Sequence, residues 1–311
     1  MTLTELKYIV ALAKECHFGK AAERCFVSQP TLSVGVKKLE DELGITIFER
    51  SKSAVRVTPL GYKIVEQAQK VLEEAFGIKT IASEGKNQLS TPLRIGTIYT
   101  IGPYLLPRMV PQLRQVAPDM PLYVEENFTH TLRQRLRLGE LDAIIIALPF
   151  TEPDIVTKAL YDEDFMVLMP GNHPWSDKKN VSVDDLANTD LLLLGEGHCF
   201  RDQILEACPA LTQKENNRQL TQQTTIEATS LETMRHMVAS GMGVTVIPRS
   251  AIGNDSHYPK ELLTTRPFEA PAPSRTVALA WRASFPRLKA IDALETAIRQ
   301  CPITPLRRNS P

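Results

Sequence analysis

Two cysteines flank a short helical pattern in the stretch GHCFRDQILEACP. Cys199 and Cys208 are nine residues apart, and the apolar Phe200 and Ile204 between them fall on one helical face. If this segment is one helix, nine steps of 100° place the two cysteines on opposite faces, about 13 Å apart along the axis. A disulfide needs Cα atoms within about 7 Å of each other. Such a helix excludes the bond, and bond formation therefore requires the helix to unravel.

Three interpretations of this cysteine pair follow from the residues alone. Two buried and inert cysteines are the plainest one, since free cysteine behaves as a small hydrophobic residue. A metal site has less support, because metal ligands are closely spaced, as in CxxC, and only His198 lies nearby. A reactive pair is indicated by the surroundings of Cys199, with His198 beside it, Arg201 two residues on and a possible helix start. These features can stabilise a thiolate, whose sulfenic acid the second cysteine can attack.

The composition is that of a globular protein with more than one domain. The chain has 311 residues, 43% hydrophobic and 23% charged, which argues against a disordered or fibrous class. The longest apolar run, AIIIAL, is too short to cross a bilayer, and the start MTLTELKYIV lacks the features of a secretory signal. We therefore expect a cytoplasmic protein without membrane contact. Five cysteines in that reducing compartment argue against a framework of structural disulfides.

The amino-terminal residues 1–58 predict a DNA-binding module. The formal net charge of the chain is zero, but residues 1–63 hold ten Lys and Arg against seven Asp and Glu. Apolar positions three and four apart predict two short helices, and Ser28 caps a third that starts near Gln29 and stops at Gly44. We expect its buried stripe to consist of Leu32, Val36, Leu39 and Leu43. Three small helices packed for another purpose are the alternative.

The other face of this third helix offers short polar groups first and cations further along. That order suits a helix whose first turns meet base edges in the major groove while lysines approach phosphates. Two short strands with basic residues follow, which indicates a winged helix-turn-helix. The predicted DNA contacts are Gln29, Pro30, Thr31, Ser33 and Lys37 on the helix and Arg50 and Arg56 on the wing.

A long helix with an apolar seam is predicted over residues 59–88. Thr58 serves as its N-cap, and Pro59 stands at the first helical position, where proline is tolerated. The seam repeats at spacings of four and three for about three heptads, through Ile64, Ala68, Val71, Ala75, Ile78 and Ala82. A lone helix with such a seam needs a partner, so we expect it to join two copies of the chain. The alternative is a helix that lies along its own effector domain.

The remaining residues 92–301 alternate buried strands with amphipathic helices. This order predicts an α/β domain of parallel sheets covered on both faces. Its length suggests two lobes, lobe I over about 92–163 and 268–301 and lobe II over about 164–267, with a ligand cleft at the strand ends. Thr100 and Thr129 follow the first two strands. Helix capping is the commoner function of a threonine in that position.

The series HFGKAAERCFVSQPTLSVGVKKLEDELGITIFERSKSAVRVTPLG resembles the winged helix-turn-helix of LysR-type bacterial transcriptional regulators. The resemblance implies a long linker helix after this module and a two-lobed effector domain similar to periplasmic solute-binding proteins. It also implies a homo-oligomer, usually a dimer of dimers, that binds double-stranded promoter DNA and works with RNA polymerase. We expect its contacts with DNA to change when the effector domain changes state.

The segment GEGHCFRDQILEAC, together with TIGPYLLP and SLETMRHMVASGMGVTVIP, resembles the peroxide-sensing members of that family. The resemblance implies that hydrogen peroxide oxidises Cys199, that Cys208 resolves it as an intramolecular disulfide, and that a cellular thiol reductant reverses the reaction. It places Thr100, Thr129, His198 and Arg275 around the peroxide. It further implies activation of antioxidant genes, no enzymatic turnover, and no cofactor or metal. Cys16, Cys25 and Cys301 have no matching role.

Two other functions stay open at this point. A LysR-type regulator can bind a small organic ligand in the cleft between the lobes, with the cysteines incidental. A thiol peroxidase would use the same reactive cysteine pair, but it leaves the DNA-binding module unexplained.

Overall fold

The amino-terminal head consists of three helices followed by a two-stranded wing. The computed structural model describes residues 1–50, 55–82, 88–211, 227–252, 259 and 262–301. Helices α1 (Leu3–Glu15), α2 (Phe18–Arg24) and α3 (Gln29–Leu43) precede the antiparallel strands β1 (Phe48–Arg50) and β2 (Val55–Val57). The winged helix-turn-helix predicted from the sequence is confirmed.

Helix α3 begins and ends as its sequence predicts. The Ser28 hydroxyl accepts a hydrogen bond from the Thr31 N–H at 3.3 Å, and Gly44 ends the helix with a φ of 66°. That left-handed conformation is one that glycine adopts without steric cost. Leu32, Val36 and Leu39 are fully buried against the rest of the head. The prediction for Leu43 is wrong, since it is 38% exposed in the last turn, next to the chain reversal at Gly44.

A long helix, α4 (Pro59–Ala82), leaves the head, and the Thr58 hydroxyl caps it by accepting from the Gly61 N–H at 2.9 Å. The predicted continuation through residues 83–87 lies outside the described part of the chain. Val65 and Ala68 are buried against the core of the head. On the predicted seam, Val71 and Ile78 are 37% and 70% exposed in this single chain. Pairing of two copies through this seam stays a prediction.

The effector region is one curled sheet covered by helices. Its strands are β3 (Leu93–Thr97), β4 (Leu122–Glu126), β5 (Ala143–Ala147), β6 (Ile155–Pro170), β7 (Leu191–Leu194), β8 (Glu227–Ala228), β9 (Val244–Pro248), β10 (Leu263–Pro267) and β11 (Ser274–Arg282). Its helices are α5 (Gly102–Val116), α6 (Thr129–Arg137), α7 (Cys199–Ala207), α8 (Leu231–Ala239) and α9 (Leu288–Arg299). The strand order is β4-β3-β5-β11-β6-β9-β7-β8, and β10 pairs with β6. No helix in the described ranges is long and apolar enough to cross a membrane.

Two separate hydrophobic cores lie along this sheet. The first contains Leu160 and Tyr161 of β6 together with β3, β5 and α9, and we call the part of the chain around it lobe I. The second contains Phe165 and Val167 of the same strand together with β7, β9 and α8, and we call its surroundings lobe II. Strand β6 therefore passes from one lobe to the other between Tyr161 and Phe165. The α/β architecture with two lobes is confirmed.

The prediction of purely parallel sheets is wrong. Strands β3, β4 and β5 are parallel to one another, as are β7, β8 and β9. Strands β6 and β11, however, pair antiparallel with each other, and β11 also runs antiparallel to β5 and β6 to β9. The reason is that β6 carries the chain out of lobe I and β11 brings it back, so the two run in opposite directions. The apolar run FMVLMP predicts only residues 165–170 of β6, so its first ten residues, which begin at Ile155, are missed.

A buried ion pair joins the linker helix α4 to lobe I. The Arg282 guanidinium, at the end of β11, contacts the Glu73 carboxylate at 2.5 Å, and the two side chains are 7% and 8% exposed. Arg282 also donates to the Leu141 carbonyl at 2.6 Å, and the Ser284 hydroxyl donates to Glu73. The linker helix thus packs on its own effector domain as well as on the head.

We expect Glu73→Ala to loosen the contact between α4 and lobe I by about 3 kcal/mol or more, because it leaves Arg282 buried without a partner. Hydrogen exchange of the α4 amides measures this loss, since it reports local opening. The control is Arg24→Gln, which breaks the exposed pair of Arg24 and Glu15 and should cost under about 1 kcal/mol. Equal exchange in the two variants would contradict a role for the buried pair.

Candidate functional site

Cys199 and Cys208 lie at opposite ends of helix α7. Cys199 is its first residue, directly after His198 at the N-cap, and Cys208 is the residue that ends it. Nine residues of helix separate the thiols by about 13 Å along the axis. The helix that the sequence predicts between the cysteines is therefore present, and in this conformation it keeps them apart.

The two cysteines also belong to different cores. Cys199 is half-buried and packs against the core of lobe I. Cys208 is 1% exposed within the core of lobe II, where its thiol lies 3.5 Å from the Val183 carbonyl. A bond between the sulfurs requires at least one of them to leave its core.

A narrow cavity of about 10 Å³ lies beside the Cys199 side chain. A single water molecule needs roughly this much space on the same measure, so the cavity admits one very small molecule. Its lining consists of Ile98, Tyr99, Thr100, Asn127, Phe128, Thr129, Gly197, His198 and Cys199. On its other side Cys199 borders a wider opening of about 420 Å³, which gives access from the surface.

The two threonines of the cavity do not cap helices. Thr129 is the first residue of α6, and its buried hydroxyl oxygen has no hydrogen-bond partner among the described residues. Thr100 precedes Ile101, the N-cap of α5, and its hydroxyl accepts a hydrogen bond from Arg275 at 2.8 Å. Capping, the alternative that the sequence left open, is therefore wrong for both residues. A buried hydroxyl without a partner is costly, which makes Thr129 a candidate ligand group.

Arg275 lies behind Thr100, fully buried at the start of β11. Its Nη1 and Nη2 atoms donate to the hydroxyl and the carbonyl of Thr100, each at 2.8 Å, and its Nε atom donates to the Glu163 carboxylate at 2.9 Å. The guanidinium also stacks over Phe200 of α7, 5.2 Å from the ring centre. These contacts leave Arg275 close to the thiol without directing a donor at it.

His198 is buried among aromatic rings. Its ring centre lies 4.8 Å from that of Phe128 and 6.0 Å from that of Tyr99. Burial lowers its pKa, against a backbone hydrogen bond at Thr229 that raises it. His198 is thus held in its neutral form and supplies a ring nitrogen rather than a positive charge.

The pKa of the Cys199 thiol is raised overall, and burial is the largest cause. The charge of Arg275 lowers this pKa, and so does the Thr129 hydroxyl, which lies near enough to favour the thiolate although it forms no hydrogen bond of standard geometry with the thiol. Asp202 raises the pKa. Two groups that the sequence associates with the thiolate act otherwise here. His198 carries no charge, and the Arg201 guanidinium donates to the Leu194 carbonyl at 2.9 Å. Arg275 is therefore the cation that favours the thiolate.

The predicted DNA-contacting residues whose side chains are described lie at the surface of the head. Gln29, Pro30, Thr31 and Lys37 of α3 and Arg56 of the wing are exposed, and Ser33 is half-exposed. Arg50 ends β1, and its side chain lies outside the described part of the structure. Lys38 differs from its neighbour, because its ammonium donates to the Glu5 carboxylate at 2.9 Å within the head.

Two family models match the chain. The model for the LysR substrate binding domain matches residues 86–301, and the model for bacterial regulatory helix-turn-helix proteins of the lysR family matches residues 3–62. The chain belongs to the LysR family of bacterial transcriptional regulators. The family assignment made from the sequence motifs is confirmed.

Within the LysR family, the chain is similar to OxyR proteins over nearly its whole length. OxyR of Escherichia coli K12, a DNA-binding transcriptional dual regulator, is 40% identical over 96% of this chain and 95% of its own. Full-length Pseudomonas aeruginosa OxyR with a cysteine-to-aspartate substitution is 62% identical, has a TM-score of 0.89, and covers 100% of this chain and 99% of its own. A mutant OxyR of Corynebacterium glutamicum with hydrogen peroxide bound is 33% identical and has a TM-score of 0.63. The match covers 96% of this chain and 92% of that protein.

Several residues of the site were missed from the sequence of this LysR-family chain. Tyr99, Asn127 and Phe128 line the cavity, and Glu163 holds Arg275. The first three sit beside the predicted Thr100 and Thr129, so proximity to the strand ends was the available signal. Glu163 stands between Asp162 and Asp164 in β6, so its residue type alone does not distinguish it from its neighbours.

We expect Arg275→Gln to raise the pKa of Cys199 further, since the charge of Arg275 lowers it. Alkylation of Cys199 by iodoacetamide, followed on the isolated peptide by mass spectrometry, should then shift to higher pH. At neutral pH the variant should react more slowly, because the thiolate is the reacting form.

The matched control for this measurement is Arg266→Gln. The Arg266 guanidinium donates to the Lys178 carbonyl at 2.8 Å, and Arg266 is not among the groups that shift the pKa of Cys199. The pH profile of Cys199 alkylation in Arg266→Gln should equal that of the wild type. A profile of Arg275→Gln that stays in place or moves to lower pH would contradict the assignment of Arg275.

Proposed function

We propose that this chain is a transcriptional regulator that responds to hydrogen peroxide, with Cys199 as the peroxide-reactive thiol. The observation that carries the proposal is the cavity beside Cys199, which has room for about one water molecule next to the Thr129 hydroxyl and adjoins the wider opening at the same thiol. Hydrogen peroxide is a small molecule that both donates and accepts hydrogen bonds. The peroxide bound to the related Corynebacterium glutamicum protein supports the same substrate.

In the first step the Cys199 thiolate attacks one oxygen of the peroxide. A sulfur–oxygen bond forms, the oxygen–oxygen bond breaks, and the departing hydroxide takes a proton and leaves as water. Thr100 and Thr129 supply hydroxyls that can donate to the departing oxygen or accept from the peroxide. Arg275 favours the thiolate, and the neutral His198 offers a ring nitrogen to the same cavity.

In the second step the Cys208 thiol attacks the sulfenic sulfur of Cys199. A disulfide forms, and the sulfenic oxygen leaves as a second water molecule, so two thiols and one peroxide yield one disulfide and two waters. Because helix α7 holds the two sulfurs apart in two cores, it must unwind for this step. A cellular thiol reductant returns both cysteines to the thiol form and closes the cycle.

Unwinding of α7 provides the output of the sensor. It withdraws a cysteine from one core and thereby changes how lobes I and II pack on each other. In a dimer of dimers, such a change alters the spacing of the DNA-binding heads along double-stranded promoter DNA. The proposal includes activation of antioxidant genes together with RNA polymerase. The chain consumes one peroxide per cycle and acts as a regulator rather than as a thiol peroxidase.

The head contacts the promoter through α3 and the wing. We assign base contacts to Gln29, Pro30, Thr31 and Ser33 near the start of α3, and phosphate contacts to Lys37, Arg50 and Arg56. The exposure of Gln29, Pro30, Thr31, Lys37 and Arg56 supports the assignment. The division follows from chemistry, since short polar groups read base edges and cations bind phosphate.

A second candidate function is regulation by a small organic ligand. An open cleft of about 760 Å³ lies beside α7, lined in part by Thr157, Gln203 and Thr276. The side-chain amide oxygen of Gln203 is buried there without a hydrogen-bond partner among the described residues. If this function holds, a Cys199→Ser protein will still change the transcription of its target genes when the organic ligand is present in cells.

The peroxide reaction is tested by intact-mass spectrometry after a brief equimolar peroxide pulse. We expect the wild-type chain to lose two hydrogens through a bond between Cys199 and Cys208. Cys208→Ser should instead gain one oxygen, and Cys199→Ser should not change. Cys16→Ser, which removes an exposed thiol, serves as the control and should behave as wild type. Absence of the bond, or a bond that leaves the DNA footprint on target promoters unchanged, would refute the proposal.

The DNA assignment is tested by binding titrations at several salt concentrations. Gln29→Ala should lose about 1–3 kcal/mol of discrimination at one base position. Lys37→Ala should weaken binding to all sequences and reduce the salt slope by about one. Lys38→Ala is the matched control, because Lys38 is already paired with Glu5. If Lys37 and Lys38 variants bind alike, the orientation of α3 on DNA is wrong.

A further inference from the structure

We propose that Glu163 is a positioning residue for the peroxide reaction: it orients Arg275, and through Arg275 it fixes the Thr100 hydroxyl as a hydrogen-bond donor to the peroxide. This inference rests on the proposed function and assigns a role to a residue outside the cavity.

Glu163 lies where β6 passes from lobe I to lobe II, and its side chain is fully buried. One carboxylate oxygen accepts from Arg275 Nε at 2.9 Å, and the other accepts from the Ser250 N–H at 2.7 Å. The carboxylate is thus held from two sides, by β11 and by a chain segment of lobe II. A buried charge fixed in this way can hold a partner in one orientation.

The orientation of Arg275 determines what the Thr100 hydroxyl does. With Nε committed to Glu163, the two terminal nitrogens reach the hydroxyl oxygen and the carbonyl oxygen of Thr100. The Thr100 hydroxyl oxygen therefore acts as an acceptor toward Arg275. Among the described residues no acceptor takes its hydrogen, and Thr100 lines the cavity. The free direction for the O–H is toward a molecule in that cavity.

A second consequence is electrostatic. Glu163 balances the positive charge of Arg275, so loss of the carboxylate charge leaves a buried cation near Cys199 without a counter-charge. An unbalanced cation favours the thiolate more strongly. The same loss frees the guanidinium from its fixed orientation and removes the directed Thr100 donor. Thiolate formation and peroxide reactivity should then change in opposite directions, which a merely structural role of Glu163 does not predict.

The test compares Glu163→Gln with the wild type in the full-length, reduced protein. Iodoacetamide alkylation of Cys199 across pH should show a lower pKa for the thiol. Stopped-flow oxidation by hydrogen peroxide, corrected for the thiolate fraction, should slow about tenfold or more, as expected for loss of one hydrogen bond to a developing charge. Asp202 and His198 also face the thiol, so the wild type and Glu163→Gln are compared at each pH.

Asp162→Asn is the matched control. Asp162 is the neighbouring carboxylate on β6, half-buried, and it accepts from the Thr276 hydroxyl at 2.6 Å rather than from Arg275. The Asp162→Asn substitution should leave both the Cys199 pKa and the peroxide oxidation rate unchanged. In the double variant of Glu163→Gln with Thr100→Val, the slowing should equal that of Thr100→Val alone, because the two residues act through one hydroxyl.

Arg275→Lys provides an independent test should Glu163→Gln fold poorly. Lysine keeps the charge but cannot bridge two atoms of Thr100 while paired with Glu163. We expect slower peroxide oxidation with an unchanged Cys199 pKa.

Three outcomes would overturn the inference. The first is a Glu163→Gln protein whose peroxide rate, corrected for the thiolate fraction, lies within twofold of the wild-type rate. The second is a parallel fall of alkylation and peroxide rates together with thermal stability, which would assign Glu163 a structural role only. The third is an Arg275→Lys protein that reacts with peroxide as fast as the wild type. A wild-type chain whose Cys199 does not react with peroxide would instead refute the proposed function, and this inference with it.

Discussion

The constraint on which the site depends is that one short helix separates two cysteines into two cores. Cys199 packs on lobe I and Cys208 on lobe II, with α7 between them. A disulfide cannot be added to this arrangement by side-chain rotation, because about 13 Å of helix lies between the sulfurs. In the proposed mechanism, disulfide formation and rearrangement of the lobes are thus one event. The packing that makes the reduced state stable is also what a disulfide must disrupt.

The electrostatics of the site favour protection of the resting thiol. Burial raises the pKa of Cys199, and the nearby cation that lowers it, Arg275, is itself balanced by Glu163. A protonated thiol reacts slowly with general alkylating or oxidising agents. In the proposed reaction, reactivity with one small substrate then comes from groups that stabilise charge as the oxygen–oxygen bond breaks. The Thr129 and Thr100 hydroxyls line the same cavity as the thiol and are the groups to which the proposal assigns this role.

Local patterns in the sequence predicted the elements, but not the contacts between distant strands. The caps at Ser28 and Thr58 and the stop at Gly44 depend on neighbouring residues, and the structure has all three. The direction of β6 and β11 depends on where the chain crosses between lobes, which no local periodicity encodes. In the same way Arg275 was found through a family motif, whereas Glu163, 112 positions earlier, is linked to it only by the fold. Leu43 shows the converse, since a correct apolar pattern extended one turn beyond the packed face.

Strand β11 connects the thiol site to the linker helix. Arg275 lies near its start and pairs with Glu163 beside the cavity, while Arg282 ends it and pairs with Glu73 of α4. Seven residues of strand span about 23 Å. Both pairs are buried, so neither end slides freely against its partner at low cost. Lobe I and α4 are therefore firmly attached to each other, and in the proposed mechanism a rotation between the lobes would reach the DNA-binding head through the linker helix. The two buried ion pairs of β11 thus fix Arg275 beside the cavity at one end of the strand and attach the linker helix α4 at the other.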